Sequence, residues 1–189
     1  MSRLHTSDRG VSLIEFSVLL PLLLVIALGA FEYGMLFRDS LTVSTAAREA
    51  GRVAASSADY GEADCVILEA AAGALTSIRN GEIDEVRIYR SDASGSIPDL
   101  SSSTLRRYRP AMPSDVSTIA CSGSEWFAIH LGSNWDPDDR VNDPRNADWI
   151  GVQIQYTHSF TTGFLWFNGT SQLADEAVFR IEPPAPGSN

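Results

Sequence analysis

The sequence predicts an α+β fold: a long N-terminal transmembrane helix that continues into a domain with a second helix and a small, mostly antiparallel sheet. Three observations predict it. The run Phe16–Phe31 is sixteen residues without a charge. From Phe37 to Ser57 the chain has no proline and repeats alanine at helical spacing. The rest alternates apolar, β-type segments with stretches rich in Ser, Pro and Gly.

The first element is the apolar block. From Val11 to Glu32 there are 21 helical steps, roughly 31 Å, which matches a hydrocarbon core of about 30 Å. Arg3 and Arg9 precede it, so the positive-inside rule places the N-terminus in the cytoplasm and the remainder outside. Glu32 then reaches the far interface, where its carboxylate meets water. Pro21 lacks an amide donor and predicts a kink. Three readings compete for the block. A buried core helix conflicts with leucine on every face. A cleaved secretory signal finds a small-x-small site at Ala27-Leu28-Gly29 but is opposed by Glu15. The third is a retained helix preceded by a short basic leader ending at Gly10.

The charge is segregated. The 189-residue chain carries a net charge of -10, and all fourteen of its basic residues are Arg. Residues 1–56 hold five Arg and five acids, so the whole net charge lies in residues 57–189. An acidic chain of pI about 4.6 repels phosphate, which argues against nucleic acid as a partner.

The stretch from Arg9 to about Ala55 resembles the TadE-like minor pilins of the tight-adherence (Tad/Flp) pilus machinery. The resemblance is carried by the Gly10-x4-Glu15-Phe16 junction, Pro21 within the apolar run, Glu32 and Gly34 at its end, and the Ala/Arg-rich continuation. It covers about a quarter of the chain. It implies that a membrane-embedded prepilin peptidase cuts after Gly10. Val11 becomes the new terminus of a 179-residue protein, and Glu15 becomes its fifth residue. It further implies other pilin-like subunits and the inner-membrane assembly platform as partners, beside membrane lipid, with no cofactor and no catalysis. A lone carboxylate near the membrane is costly unless paired. The ammonium freed on Val11 of one subunit can meet Glu15 of the next, and that pairing sets an axial register. The plainer reading is that Glu15 snorkels to cytoplasmic water. On this reading residues 1–10 are leader, 11–37 span the membrane, 38–57 extend the helix, 58–182 form the extracytoplasmic α+β domain and 183–189 are a tail.

Beyond the membrane, Ala46, Ala50 and Ala54, with Ala47 and Gly51, make a small-residue stripe. It packs either on the protein's own sheet or on a neighbouring subunit. A second helix is expected over about Glu62–Arg79, ended by Asn80-Gly81. Val86–Arg90 alternates as a strand, and Ser91–Ser124 reads as a long surface loop. Trp126–His130 reads as a strand, Trp135–Asn146 as a polar loop, and Trp149–Phe160 as the strongest strand, with Ile150, Val152, Ile154, Tyr156 and His158 on one face. Ala174–Ile181 is the last strand.

Cys65 and Cys121 are the only cysteines. Both fall in the extracytoplasmic part, where a disulfide is permitted; two separate buried thiols are the alternative. The acidic run Asp136–Asp143 suggests calcium, but Arg140 and Val141 break the EF-hand spacing, and a solvated loop is the better expectation, so no metal site is assigned. No nucleophile, P-loop or metalloprotease motif is present. His130 and His158 lie on predicted strands and read as structural. Asn168-Gly169-Thr170 is a formal sequon that reads as a turn. The four tryptophans serve a core better than a binding patch. Phe164-Leu165-Trp166-Phe167 is the exception, a candidate exposed patch. The sequence therefore points to a membrane-anchored structural or assembly protein, a TadE-like minor pilin. The alternative is a tethered extracytoplasmic binding or adhesin domain outside any pilus.

Overall fold

The computed structural model describes residues 8–57, 60–78, 81–115, 118–129, 135–163 and 168–183. The element that organises it is helix α1, Asp8–Ser57, which runs unbroken for 50 residues through Pro21, about 75 Å. Its two halves differ in what they touch. The N-terminal half contains an 18-residue window of mean hydropathy 2.5, none of it buried in the protein, so the helix is long and apolar enough to cross a membrane. From Glu32 onward one stripe disappears into the domain: Glu32, Asp39, Val43, Ala46, Ala47, Ala50 and Ala54 are all buried. The successive spacings of seven, four, three, one, three and four keep them on one face.

That stripe packs on the protein's own sheet. Strand β5 covers Trp149–Ser159 and β6 covers Thr170–Arg180, and α1 lies against both as well as against α2, Ala63–Leu75. Gly51 is a point of close approach. A Cβ added there would stand 2.8 Å from the Phe179 ring and 3.2 Å from the Cβ of Ala177, so any side chain at 51 has to displace Phe179. The remaining strands are β1 (Gly81–Ser91), β2 (Leu105–Pro110), β3 (Ile119–Ala120) and β4 (Glu125–Ala128). They form one six-stranded sheet in the order β3-β4-β2-β1-β5-β6, with each adjacent pair antiparallel. The core lies between the two helices and one face of this sheet, where Ile67, Leu68 and Ala71 of α2 meet Val86, Ile88, Val152 and Ile154.

Several expectations hold at this level. The fold is α+β, and Ile150, Val152, Ile154, Tyr156 and His158 are each buried on the inner face of β5. Cys65 on α2 is bonded to Cys121, which follows β3, across 56 residues of sequence. In the chain-entropy account a loop of that length contributes about 4 kcal/mol. Trp126 and Trp135 are core residues.

Other expectations are corrected. Helix α2 stops at Leu75, not Arg79, because Thr76 turns its hydroxyl and its amide back onto the Gly73 carbonyl, a local bond that competes with helix. The stretch Ser91–Ser124 is not one loop: it contains β2 and β3. The segment Trp135–Asn146 is not a solvated loop either. It carries one 3-10 turn, Pro137–Asp139, and buries both Trp135 and Arg140. His130, Phe164–Phe167 and most of the tail lie outside the described residues.

Replacing Gly51 with Val overpacks the contact with Phe179 and is expected to destabilise the domain by about 1–3 kcal/mol. Thermal melts of the full-length protein in detergent check this; an unchanged melting temperature contradicts the close-packed helix–β6 contact.

Candidate functional site

The residues singled out by sequence do not converge on one pocket. They lie along α1, as parts of a rod would. Gly10 and Val11 fall in its first turn. Glu15 is exposed, Phe16 is 58% exposed, and Pro21 is exposed within the helix. The apolar side chains of this half are exposed. Water would solvate such a surface poorly, whereas lipid or other apolar helices cover it at no such cost.

Where the apolar run ends, the domain takes hold of the helix. Glu32 directly follows Phe31, and was expected to point into interfacial water. Instead it is buried and accepts the amide N–H groups of Thr161, at 3.3 Å, and Thr162, at 2.5 Å. Two turns on, Asp39 Oδ2 lies 2.6 Å from His158 Nδ1, with both side chains buried. The edge of the His158 ring meets Phe160, centroid to centroid 5.3 Å. A buried carboxylate is tolerated only when its lone pairs are satisfied, and here both are satisfied by the end of β5 and the loop that follows it. Sequence reading missed this pairing. The signal was available: Glu32 and Asp39 are seven residues apart, on the same stripe as Ala46, Ala50 and Ala54.

A second polar knot holds the 135–148 segment. Asp64, in the first turn of α2, pairs with Arg140, takes Arg106 Nε at 2.7 Å and accepts the Tyr108 hydroxyl at 2.5 Å. Arg140 is fully buried and stacks over Trp135, 4.8 Å from the ring centroid. Asp148 takes Trp135 Nε1, the Val141 amide and Arg90. Burial, and then the charge of Asp64, push the Tyr108 phenol above its usual range. The acidic run is thus partly spent on internal contacts: Asp136 pairs with Arg106 and Asp143 accepts the Arg145 amide. No group of three or more His, Cys, Asp or Glu side chains is placed to hold a metal among the described residues.

The outer face of the sheet is a polar ladder. Arg107 binds Glu85 through Nε and Nη2, at 2.6 and 2.7 Å. Arg87 bridges Glu85 and Gln153, and Gln153 donates to Glu176. Burial alone would raise the Glu85 carboxyl, but the hydrogen bonds from Arg107 and Arg87 outweigh it and hold it below the usual carboxylate range. The Arg109 fork does the same to Asp115, assisted by the Met112 amide.

Against this geometry, residues 10–52 match the family model described as TadE-like protein. The match begins at the Gly10 junction and ends inside α1, one residue beyond Gly51, so α2, the sheet and the disulfide lie outside it. No curated protein and no solved structure gives a significant match.

Two outcomes follow from the polar contacts. Asp64→Ala leaves Arg140 buried without its counter-charge and is expected to cost about 3–5 kcal/mol, read as a lowered unfolding midpoint in urea. Because Glu85 titrates lower folded than unfolded, its contribution is present above an unfolded value of about 4.3 and is lost as pH falls through the folded value. Unfolding midpoints followed downward from pH 6 should therefore fall less steeply in Glu85→Gln than in the parent. Parallel slopes contradict the assignment.

Proposed function

We propose that the protein is a non-enzymatic minor pilin or pseudopilin of a Tad-type pilus, anchored in the cytoplasmic membrane by α1 with its domain on the extracytoplasmic side. One observation carries the reading: a single unbroken helix is lipid-ready in its first half and domain-bound in its second. The TadE-like match spans the join between the two. A rod of this kind can pass from bilayer to filament without refolding, since apolar neighbours replace lipid around the same side chains. The disulfide supports an extracytoplasmic domain, because such bonds persist in oxidising compartments.

On this reading prepilin peptidase removes residues 1–10, Val11 supplies the new ammonium, and Glu15 receives it from the adjoining subunit. Phe16 extends the recognition surface beside the cut. Pro21 lacks the donor that would brace its turn and gives the span a point of flexure during extraction. Other pilin-like subunits and the inner-membrane platform are the partners. The alternative, a tethered adhesin domain outside any pilus, is favoured by no feature of the described residues.

N-terminal sequencing of the protein from its native host, with and without the peptidase, tests the reading. A Val11 terminus that reverts to Met1 when the peptidase is deleted is expected; an intact leader in piliated cells overturns it. Glu15→Ala should leave membrane insertion unchanged while reducing pilus assembly, scored by sheared-fibre yield beside membrane fractionation.

A further inference from the structure

The contact at Glu32 fixes how far the domain stands from the lipid. Glu32 immediately follows the charge-free run Phe16–Phe31, and its carboxylate is held by the amides of Thr161 and Thr162. The loop after β5 is therefore hydrogen-bonded to the residue at which the apolar run ends. The other low contacts agree. His158 reaches Asp39, and Arg38 Nη2 donates to the Ser77 carbonyl just past α2 at 3.4 Å. Positions 32 to 39 span about 10 Å of helix, while the headgroup layer on each side of a bilayer is about 5–8 Å thick. With α1 across the membrane, the base of the domain cannot stand clear of that layer.

The base is also built for it. Residues 149–174 contain no Asp, Glu, Lys or Arg, in a domain that carries the whole net charge of -10. Among the described residues of the turn between β5 and β6, Ser159, Thr161, Gly163, Asn168, Gly169 and Thr170 are exposed, hydroxyls, amides and bare backbone. Such groups exchange water for phosphate and glycerol oxygens without an ionic desolvation penalty. Arg38, exposed on α1 at the same level, supplies a cation. The nearest acids stand beside the hairpin on β1, where Glu82 is exposed opposite Thr157 and Asp84 accepts the Thr157 hydroxyl at 2.6 Å; Asp136, Asp138 and Asp139 lie in the segment before β5.

We infer that the β5–β6 end of the domain is a second membrane contact, seated on the phospholipid headgroups of the extracytoplasmic leaflet. Its occupant is lipid because the surface continues directly from the lipid-facing part of α1. The contact fixes the rotation and the height of the domain, which a single spanning helix leaves free. It rests on the reading that α1 spans the bilayer.

The test uses the full chain in phosphatidylcholine–phosphatidylglycerol vesicles. Cys65 and Cys121 are bonded to each other, so an environment-sensitive fluorophore can be attached at one introduced cysteine: Asn168→Cys at the base, Leu22→Cys mid-span, or Ala93→Cys beyond the far end of β1. Thr170→Cys repeats the base position. Lipids carrying a nitroxide near the headgroup should remove most of the fluorescence at 168 and 170 and none at 93, while deep-chain nitroxide quenches 22. Quenching at 22 without quenching at 168 and 170 overturns the second contact and leaves the span intact. No quenching at 22 overturns both. A base probe shielded from shallow nitroxide only at high protein-to-lipid ratio assigns the surface to a neighbouring copy and also overturns the inference.

Discussion

The fold depends on one helix having to satisfy two solvents. Its first half presents apolar side chains to surroundings that must not be water, and its second half must fill a protein core, with no break between them. Continuity means the rotational phase set by the core stripe also sets which side chains of the span face which direction. The carboxylates of Glu32 and Asp39 mark the changeover. They are too polar for lipid and too buried for water, so the chain supplies amides from the loop after β5 and an imidazole from β5 itself.

The same economy appears throughout the domain. Small residues bring α1 close to β6, as at Gly51 against Phe179. Arginine–carboxylate contacts take up part of the task of fixing the fold. Asp64 gathers Arg106, Arg140 and Tyr108, while Glu85 gathers Arg87 and Arg107. Such pairs add little net stability over well-packed apolar groups but are expensive to break singly. They therefore favour one arrangement of strands and loops over others. The acidic net charge conceals this, because a good share of the arginines are committed internally.

What could be read from sequence follows the strength of local patterns. The span was legible from an uninterrupted charge-free run of membrane length, and the small-residue stripe and β5 because each has a period, 3.6 or 2, carried largely by apolar residues. β2 was not. Its six residues include Arg106, Arg107 and Arg109, and the strand makes sense only once Asp64, Glu85 and Asp115 are beside them. Asp115 comes from the turn just after β2, but Asp64 and Glu85 come from α2 and β1, 42 and 22 residues from their arginines, at separations no local window spans. The segment around Trp135 and Arg140 was misread for the same reason, since a buried guanidinium looks like a solvated one until its carboxylate is located. At the candidate site, the Gly10–Phe16 junction was legible as a motif. The hold on Glu32 was not, because backbone amides leave no mark in a sequence.

An unbroken rod gripped along its upper half behaves as a lever. The part of α1 from Glu32 to Ser57 is about 38 Å long, and spanning helices commonly lean by about 20°. A lean of that size sweeps the far end of the domain sideways by about 13 Å. Local thinning or thickening of a bilayer beneath the protein would thus be amplified into a displacement large enough to bring the far end of the domain within reach of a neighbour, or to withdraw it.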